Sequence, residues 1–163
     1  MLIECDSLAK TYRLGGDNDV HAVRDVDLTI EAGEFVAIMG PSGSGKSTLM
    51  KVMAGLVEPD RGEVILPAGQ SVGYREQDPD MSGFATLGDF ASAGLEPGEL
   101  YRVERAGAGL KFDPARPVET ASGGERRRAA LAALMAQAPD LMLLDEPTNH
   151  LDIDAIAWLE AEL

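Results

Sequence analysis

The sequence is short of cysteine, aromatic side chains, positive charge and long apolar runs, and each shortage narrows the possible functions. Its single cysteine, Cys5, rules out an internal disulfide and fits a reducing cytosol, so a cytoplasmic location is expected. Aromatic residues make up 5% of the chain, so there is no sign of a platform for stacking single-stranded nucleic acid. The net charge is −14, and such a surface repels nucleic acid unless basic residues cluster locally. The one dense basic cluster, Arg126-Arg127-Arg128, reads as a solvated helix face. No apolar run approaches the length of a membrane span, and no transmembrane helix is expected. The opening MLIECDSLAK carries acids where a signal peptide carries bases, and it lacks a long apolar centre. What remains is an ordinary globular composition, 45% hydrophobic and 26% charged. At 163 residues the chain can bury a moderate core, with one domain as the default.

The hydrophobic pattern changes along the chain. Residues 2–12 and 22–31 read as strands, with Val26, Leu28 and Ile30 alternating against Asp27 and Thr29. The turn-rich LGGDND lies between them, which predicts an antiparallel hairpin. EFVAIM, residues 34–39, is a short continuous apolar run, as expected of a strand covered on both faces. The helix predicted after residue 46 carries Leu49, Val52 and Met53 on one face and stops at Gly55. GEVIL and SVGY read as short strands. Residues 86–110 are helical but broken at Pro97-Gly98, and a further helix follows SGGE. LMLL is a second buried strand. The last helix, DIDAIAWLEAEL, places Ile153, Ile156 and Leu159 on one stripe. Buried strands alternating with helices predict an α/β fold with a largely parallel core sheet. Ligands in such sheets sit beyond the carboxyl ends of the strands, here after Met39 and after Leu144.

Residues 40–47, GPSGSGKS, match G-x-x-x-x-G-K-[ST] in full. Gly40, Gly43 and Gly45 let the backbone curl so that its N–H groups, with those of Ser42 and Ser44, converge on phosphate oxygens. A helix starting near Gly45 adds the positive end of its dipole. Lys46 supplies a cation for the β- and γ-phosphates, and the Ser47 hydroxyl, next to Thr48, is suited to ligate Mg²⁺. A flexible Gly/Ser linker is the plainer reading, but a buried strand leading in and an amphipathic helix leading out oppose it.

Asp145 and Glu146 end the strand LMLL. One acid beside a phosphate cradle can hold Mg²⁺, and a second can polarise the water that attacks the γ-phosphate. The plainer reading, acids at a helix N-terminus, suits Asp152 and Asp154 better than this pair, because Pro147 and Thr148 intervene before the helix. Upstream, Ser122 and Glu125 form the S-x-x-E pattern of a capping box. A capping box alone does not need Gly123 and Gly124, whose exposed backbone N–H groups would form a further anion site.

With these motifs together and in this order, the chain resembles the ATP-binding cassette (ABC) ATPases over essentially its whole length. GPSGSGKST resembles their Walker A, ASGGE their signature, LMLLDE their Walker B and NHLD their D-loop. Gln77 matches the Q-loop glutamine that approaches Mg²⁺ and the attacking water, and Tyr12 falls where the family stacks an aromatic ring on adenine. The resemblance implies a P-loop fold with an antiparallel β part (1–33), a Walker A core with the Q-loop (34–80), a short helical subdomain (81–120) and a signature helix, Walker B and D-loop (121–163). It implies ATP and Mg²⁺ as ligands. It also implies a second cassette as partner, either in a homodimer or as the other half of a duplicated chain. Ser122, Gly123 and Gly124 would then act on the partner's nucleotide.

The first third, HAVRDVDLTIEAGEFVAIMGPSGSGKSTLM, resembles cassettes of lipoprotein-release and macrolide-export transporters. From AGLVEPDRGEV onward, EQDPD, ASGGERRRAAL and DEPTNHLD resemble the ABC-F group, which lacks membrane domains and mostly acts on ribosomes. The character changes around residues 48–56. A ribosome is therefore one expected partner and a transporter membrane subunit the alternative. The family's switch histidine follows the D-loop after a helix and a strand, beyond Leu163, and His150 belongs to the D-loop. In the family that strand lies between the Walker A and Walker B strands. Without it, EFVAIM and LMLL are expected to leave an exposed edge, collapse, or pair with another chain.

Overall fold

The computed structural model describes residues 1–15, 18–75, 79–149 and 151–162. The described residues fall into two compact units. The first comprises Met1–Tyr74 and Asp140–Asp145, and the second Arg75–Pro139 and Glu146–Leu163.

In the first unit, β1 (Ile3–Arg13) and β2 (Asp19–Ile30) form the expected antiparallel hairpin, paired from Ile3↔Ile30 to Arg13↔Asp19. β3 (Arg61–Ile65) adds to the other edge of β1, giving the order β2-β1-β3. Helix α1 (Lys46–Met53) buries Leu49, Met50, Val52 and Met53. Among the described residues, a second sheet pairs β4 (Val72–Arg75) with β5 (Leu141–Leu144), running parallel. Leu141 and Leu143 of β5 join Val52 and Met53 of α1 and Ile3, Leu8 and Val23 of the hairpin in one apolar core. The start of this sheet is pinned by polar groups. Asp140 Oδ2 accepts from the Ser71 backbone N–H at 2.8 Å and from its hydroxyl at 2.7 Å, and Ser71 Oγ accepts from the Asp140 N–H at 3.0 Å.

The expected buried strand at 34–39 does not form. Those residues carry no strand structure, and Phe35 and Met39 are 79% and 89% exposed. Only Ile38 of this run packs against the core. Apolar sequence favours burial, but a strand also needs a neighbour for its backbone N–H and C=O groups. Among the described strands, none pairs with 34–39.

The second unit is helical: α2 (Leu87–Ala91), α3 (Tyr101–Leu110), α4 (Gly123–Gln137) and α5 (Ile153–Glu162). Thr86 caps α2 in a reciprocal box with Asp89. α4 is buried along Ala129–Leu134, with Leu131 fully covered, and packs on α2 and α3. The basic triplet is not a solvated face. Arg126, Arg127 and Arg128 are all half-buried, and Arg126 Nη2 donates to the Val118 carbonyl at 2.7 Å, because the apolar helix continues straight from the triplet into the core. The stripe expected on α5 is also corrected. Ile153 is 82% exposed, while Ala155 and Leu159 are the buried positions. Asp152 caps the helix, accepting from the Ala155 N–H at 2.9 Å. α5 is held to α3 by Arg105–Glu162 (2.6 Å) and by Lys111 with both Asp152 and Asp154 (2.9 Å each). Trp158 lies against Gly109, where a Cβ would sit 2.1 Å from the indole ring. Among the described residues, no helix is long and apolar enough to cross a membrane.

Two outcomes follow for stability. Gly109→Ala drives the indole off α3 and costs about 1–3 kcal/mol in urea titration, with an altered emission from the protein's single tryptophan. The Ser71 hydrogen bonds hold the Asp140 carboxyl below its ordinary value of 3.8. A depressed folded pKa contributes stability above the unfolded pKa, and that contribution is lost as pH falls through the folded value. Asp140→Asn is therefore less stable than the wild type at neutral pH, and the difference shrinks as pH drops below 3.8. Melting temperatures across that range check it.

Candidate functional site

The first unit carries the glycine-rich loop of residues 40–47. Gly45 precedes α1 in a left-handed conformation (φ 90°), and Gly43 does the same (φ 79°). Gly45 has a second constraint, since a Cβ there would lie 1.8 Å from the Ala22 carbonyl oxygen of β2. The loop thus presses backbone to backbone on the hairpin. The first turn of α1 carries no acid of its own. The Lys46 ammonium is folded into its own loop. It donates to the Gly40 and Pro41 carbonyls at 2.6 and 2.9 Å and to Ser44 Oγ at 3.3 Å. Phosphate oxygens can take over those positions, because they are acceptors of the same kind and carry charge.

Asp145 stands at the end of β5, 5% exposed, and its Oδ2 accepts from the Ser47 hydroxyl. The contact joins α1 to β5 across 98 positions of sequence. A hydroxyl and a buried carboxylate in contact are hard oxygen donors of the kind Mg²⁺ takes, with phosphate and water completing its shell. Among the described residues no cluster of three or more His, Cys, Asp or Glu could hold a metal. A magnesium ion that arrives with a polyphosphate does not need one.

Tyr12, 37% exposed near the end of β1, lines an open cleft of about 950 Å³ in the same unit. Lys10, Thr11, His21, Leu56 and Asp60 also line it. Opposite each other on β1 and β2, Thr11 Oγ1 and His21 Nδ1 are hydrogen-bonded at 2.9 Å. His21 directly precedes Ala22, so the cleft adjoins the strand position on which Gly45 rests.

The second unit holds the other candidates. Glu146 is exposed and has a positive φ of 49°, uncommon for a residue with a side chain. Its Oε2 accepts from Asn149 Nδ2 at 2.6 Å, and its carbonyl accepts from the Asn149 N–H at 3.2 Å. Ser122 caps α4 as a reciprocal box. Its Oγ accepts from the Glu125 N–H at 3.2 Å, and Glu125 Oε2 accepts from the Ser122 N–H at 2.8 Å. These Ser122 bonds hold the Glu125 carboxyl below its usual range. Gly123 is exposed, and a Cβ there would meet nothing within 4 Å, so packing inside this chain does not require glycine. Gln77 and His150 lie outside the described residues.

Three contacts had no sequence signal: the Asn149 amide on Glu146, the Thr11–His21 pair, and Asp60 reaching β1. Each joins side chains whose types are ordinary in loops and strands. The hairpin brings Thr11 to His21 and the fold brings Asp60 to β1, whereas Asn149 reaches Glu146 only three residues back.

Comparison with known proteins adds to this geometry. The profile of the ABC transporter family matches residues 23–149. The chain is 48% identical over 139 residues to the ATP-binding protein Uup of Caulobacter vibrioides, covering 85% of this chain and 22% of that protein. It is 32% identical over 198 residues to the energy-dependent translational throttle protein EttA of Mycobacterium tuberculosis, covering 96% of this chain and 35% of that protein. The chain therefore spans about a fifth to a third of the length of these curated relatives. Among solved structures it superposes on the ATP-binding cassette MJ0796, a dimer in a post-hydrolysis state bound to ADP and Pi. That match has a TM-score of 0.84 and 26% identity, covering 98% of this chain and 80% of the other.

The two loop glycines separate conformational strain from collision. Gly45→Ala meets both a positive φ and the Ala22 carbonyl, and it costs about 2–4 kcal/mol and abolishes binding of Mg²⁺-tripolyphosphate. Gly43→Ala meets only the positive φ and costs about 1 kcal/mol. Chemical denaturation and calorimetric titration with tripolyphosphate check both.

Proposed function

This chain belongs to the ABC transporter family, and we propose that it is an ATP-binding and ATP-hydrolysing cassette of the ABC-F kind, linked to translation. The observation that carries the reading is the phosphate loop with its Ser47 hydroxyl in contact with the buried Asp145.

In this reading the backbone N–H groups of residues 40–48, including those of Ser42, Ser44 and Thr48, cradle the phosphates of ATP. Lys46 leaves the Gly40 and Pro41 carbonyls for the β- and γ-phosphate oxygens. Ser47 and Asp145, with Gln77, would hold Mg²⁺, which would neutralise charge building on the phosphates. Tyr12 stacks on the adenine. The Glu146 carboxylate accepts a hydrogen bond from water and takes its proton as the water oxygen bonds to the γ-phosphorus. The bond from that phosphorus to the β-γ bridging oxygen breaks, leaving ADP and inorganic phosphate. Oε2 of Glu146 already holds the Asn149 amide, which leaves Oε1 for water.

The reading also includes a second cassette as partner, in a homodimer or in a duplicated chain. Ser122, Gly123 and Gly124 would bring a helix N-terminus to that partner's nucleotide. The open space over Gly123 supports this, since glycine there answers no need within the chain. The ABC-F assignment is supported by PTNHLD at 147–152, by the Uup likeness, and by the likeness to a protein named as a translational throttle. A cytoplasmic location and a ribosomal partner belong to the same reading. The first third of the chain and the similarity to MJ0796, described as a bacterial ABC transporter cassette, favour a second reading as the motor subunit of a transporter. A nucleotide-binding module without turnover is the third.

Phosphate release separates turnover from binding alone. Glu146→Gln keeps ATP affinity within about three-fold and loses about 100-fold or more in rate. Equal release by wild type and variant, with both binding ATP, would leave only the binding module. Co-sedimentation with ribosomes at two salt concentrations decides between translation and transport, with ATP-dependent pelleting of Glu146→Gln expected. No pelleting of the folded variant removes the ribosomal reading.

A further inference from the structure

The side chain best connected to the Tyr12 cleft belongs to none of the nucleotide motifs. Asp60 lies between α1 and β3, in the turn EPDRG. One carboxylate oxygen, Oδ2, accepts from the Thr11 backbone N–H at 2.7 Å. The other, Oδ1, accepts from Lys10 Nζ at 2.9 Å. The Asp60 N–H in turn donates to the Ala9 carbonyl at 2.8 Å, so Asp60 grips three consecutive residues of β1 immediately before Tyr12. Lys10 is the more constrained partner, with its side chain 18% exposed against 48% for Asp60. Held this way, its ammonium lies 5.9 Å from the centre of the Tyr12 ring. The Thr11 N–H and then Lys10 hold the Asp60 carboxyl below the usual carboxylate range, so it is ionised at neutral pH.

We propose that Asp60 is a positioning residue for nucleobase stacking: it fixes Lys10 and Tyr12 so that the aromatic ring is presented to a purine base in the cleft. A free tyrosine at the end of a hairpin would lose side-chain freedom on stacking, and fixing the ring beforehand removes part of that cost. The Lys10 cation is attracted to the ring and so helps to hold it in one orientation. Asp60 itself touches neither base nor phosphate in this arrangement. It acts through β1. The inference rests on the nucleotide-binding reading above, with Tyr12 at the base.

Binding of two ligands tests it, because inorganic tripolyphosphate shares the phosphates of ATP but has no base. Both are titrated with Mg²⁺ into the wild type, Asp60→Asn, Lys10→Met, Tyr12→Ala and the double variant Asp60→Asn/Tyr12→Ala. Asp60→Asn and Lys10→Met each weaken ATP roughly three- to ten-fold and leave tripolyphosphate unchanged. The double variant binds ATP no more weakly than Tyr12→Ala alone, since Asp60 works only through the ring. Unchanged ATP affinity in both Asp60→Asn and Lys10→Met overturns the inference. So does an equal loss for both ligands, which would mark Asp60 as a general support of the unit. If Tyr12→Ala binds ATP like the wild type, the base does not stack there and the inference falls with that assignment. Loss of both ligands in the wild type would instead overturn the nucleotide reading itself.

Discussion

A carboxylate taken out of water must find a partner, and Asp145, 5% exposed at the tip of β5, finds the Ser47 hydroxyl. That contact makes one site out of two distant segments. Ser47 is positioned by the start of α1, which depends on Gly45 reaching against the Ala22 carbonyl. Asp145 is positioned by β5, which depends on Ser71 and Asp140 at its other end and on Leu141 and Leu143 in the core. Remove any of these supports and the hydroxyl and the carboxylate no longer coincide. The antiparallel hairpin contributes as well, because it supplies both the surface under Gly45 and the cleft beside Tyr12.

The loop between these supports is stable without a ligand because its own lysine fills it. An ammonium has three donors, and Lys46 places all three on acceptors of residues 40–44. A polyphosphate must offer better acceptors than two carbonyls and a hydroxyl, and its charge makes it one. In the second unit Glu146 is treated in the same way. Its left-handed backbone and the Asn149 amide hold one carboxylate oxygen and leave the other open. Both groups have their polar atoms satisfied by neighbours within a few residues in the chain.

Several elements were legible because their determinants lie close together in the chain. The hairpin, α1, the capping box of Ser122 and the short strands β3, β4 and β5 follow from alternation, capping residues and turn residues within a few positions. The misreadings share a cause. EFVAIM is apolar enough for a buried strand, yet pairing is a property of two segments, and no described strand lies beside it. Ile153 fits the apolar stripe of α5, but the face that packs on α3, with Trp158 against Gly109, leaves it exposed. The charge of the arginine triplet predicts a solvated face, but the helix buries its apolar run from Ala129 onward and leaves the three arginines half-buried.

The sequence by itself determined the glycine-rich loop at 40–47, the acidic pair and their order along the chain, since each motif is a contiguous run of residues. Tertiary structure alone decided which of these groups meet. Ser47 reaches Asp145 across 98 positions and Lys10 reaches Asp60 across 50. Phe35 and Met39 are left in solvent. Hydrogen bonds and strand pairs are satisfied by whatever acceptor the folded chain brings within about 3 Å, and sequence spacing carries no record of that distance.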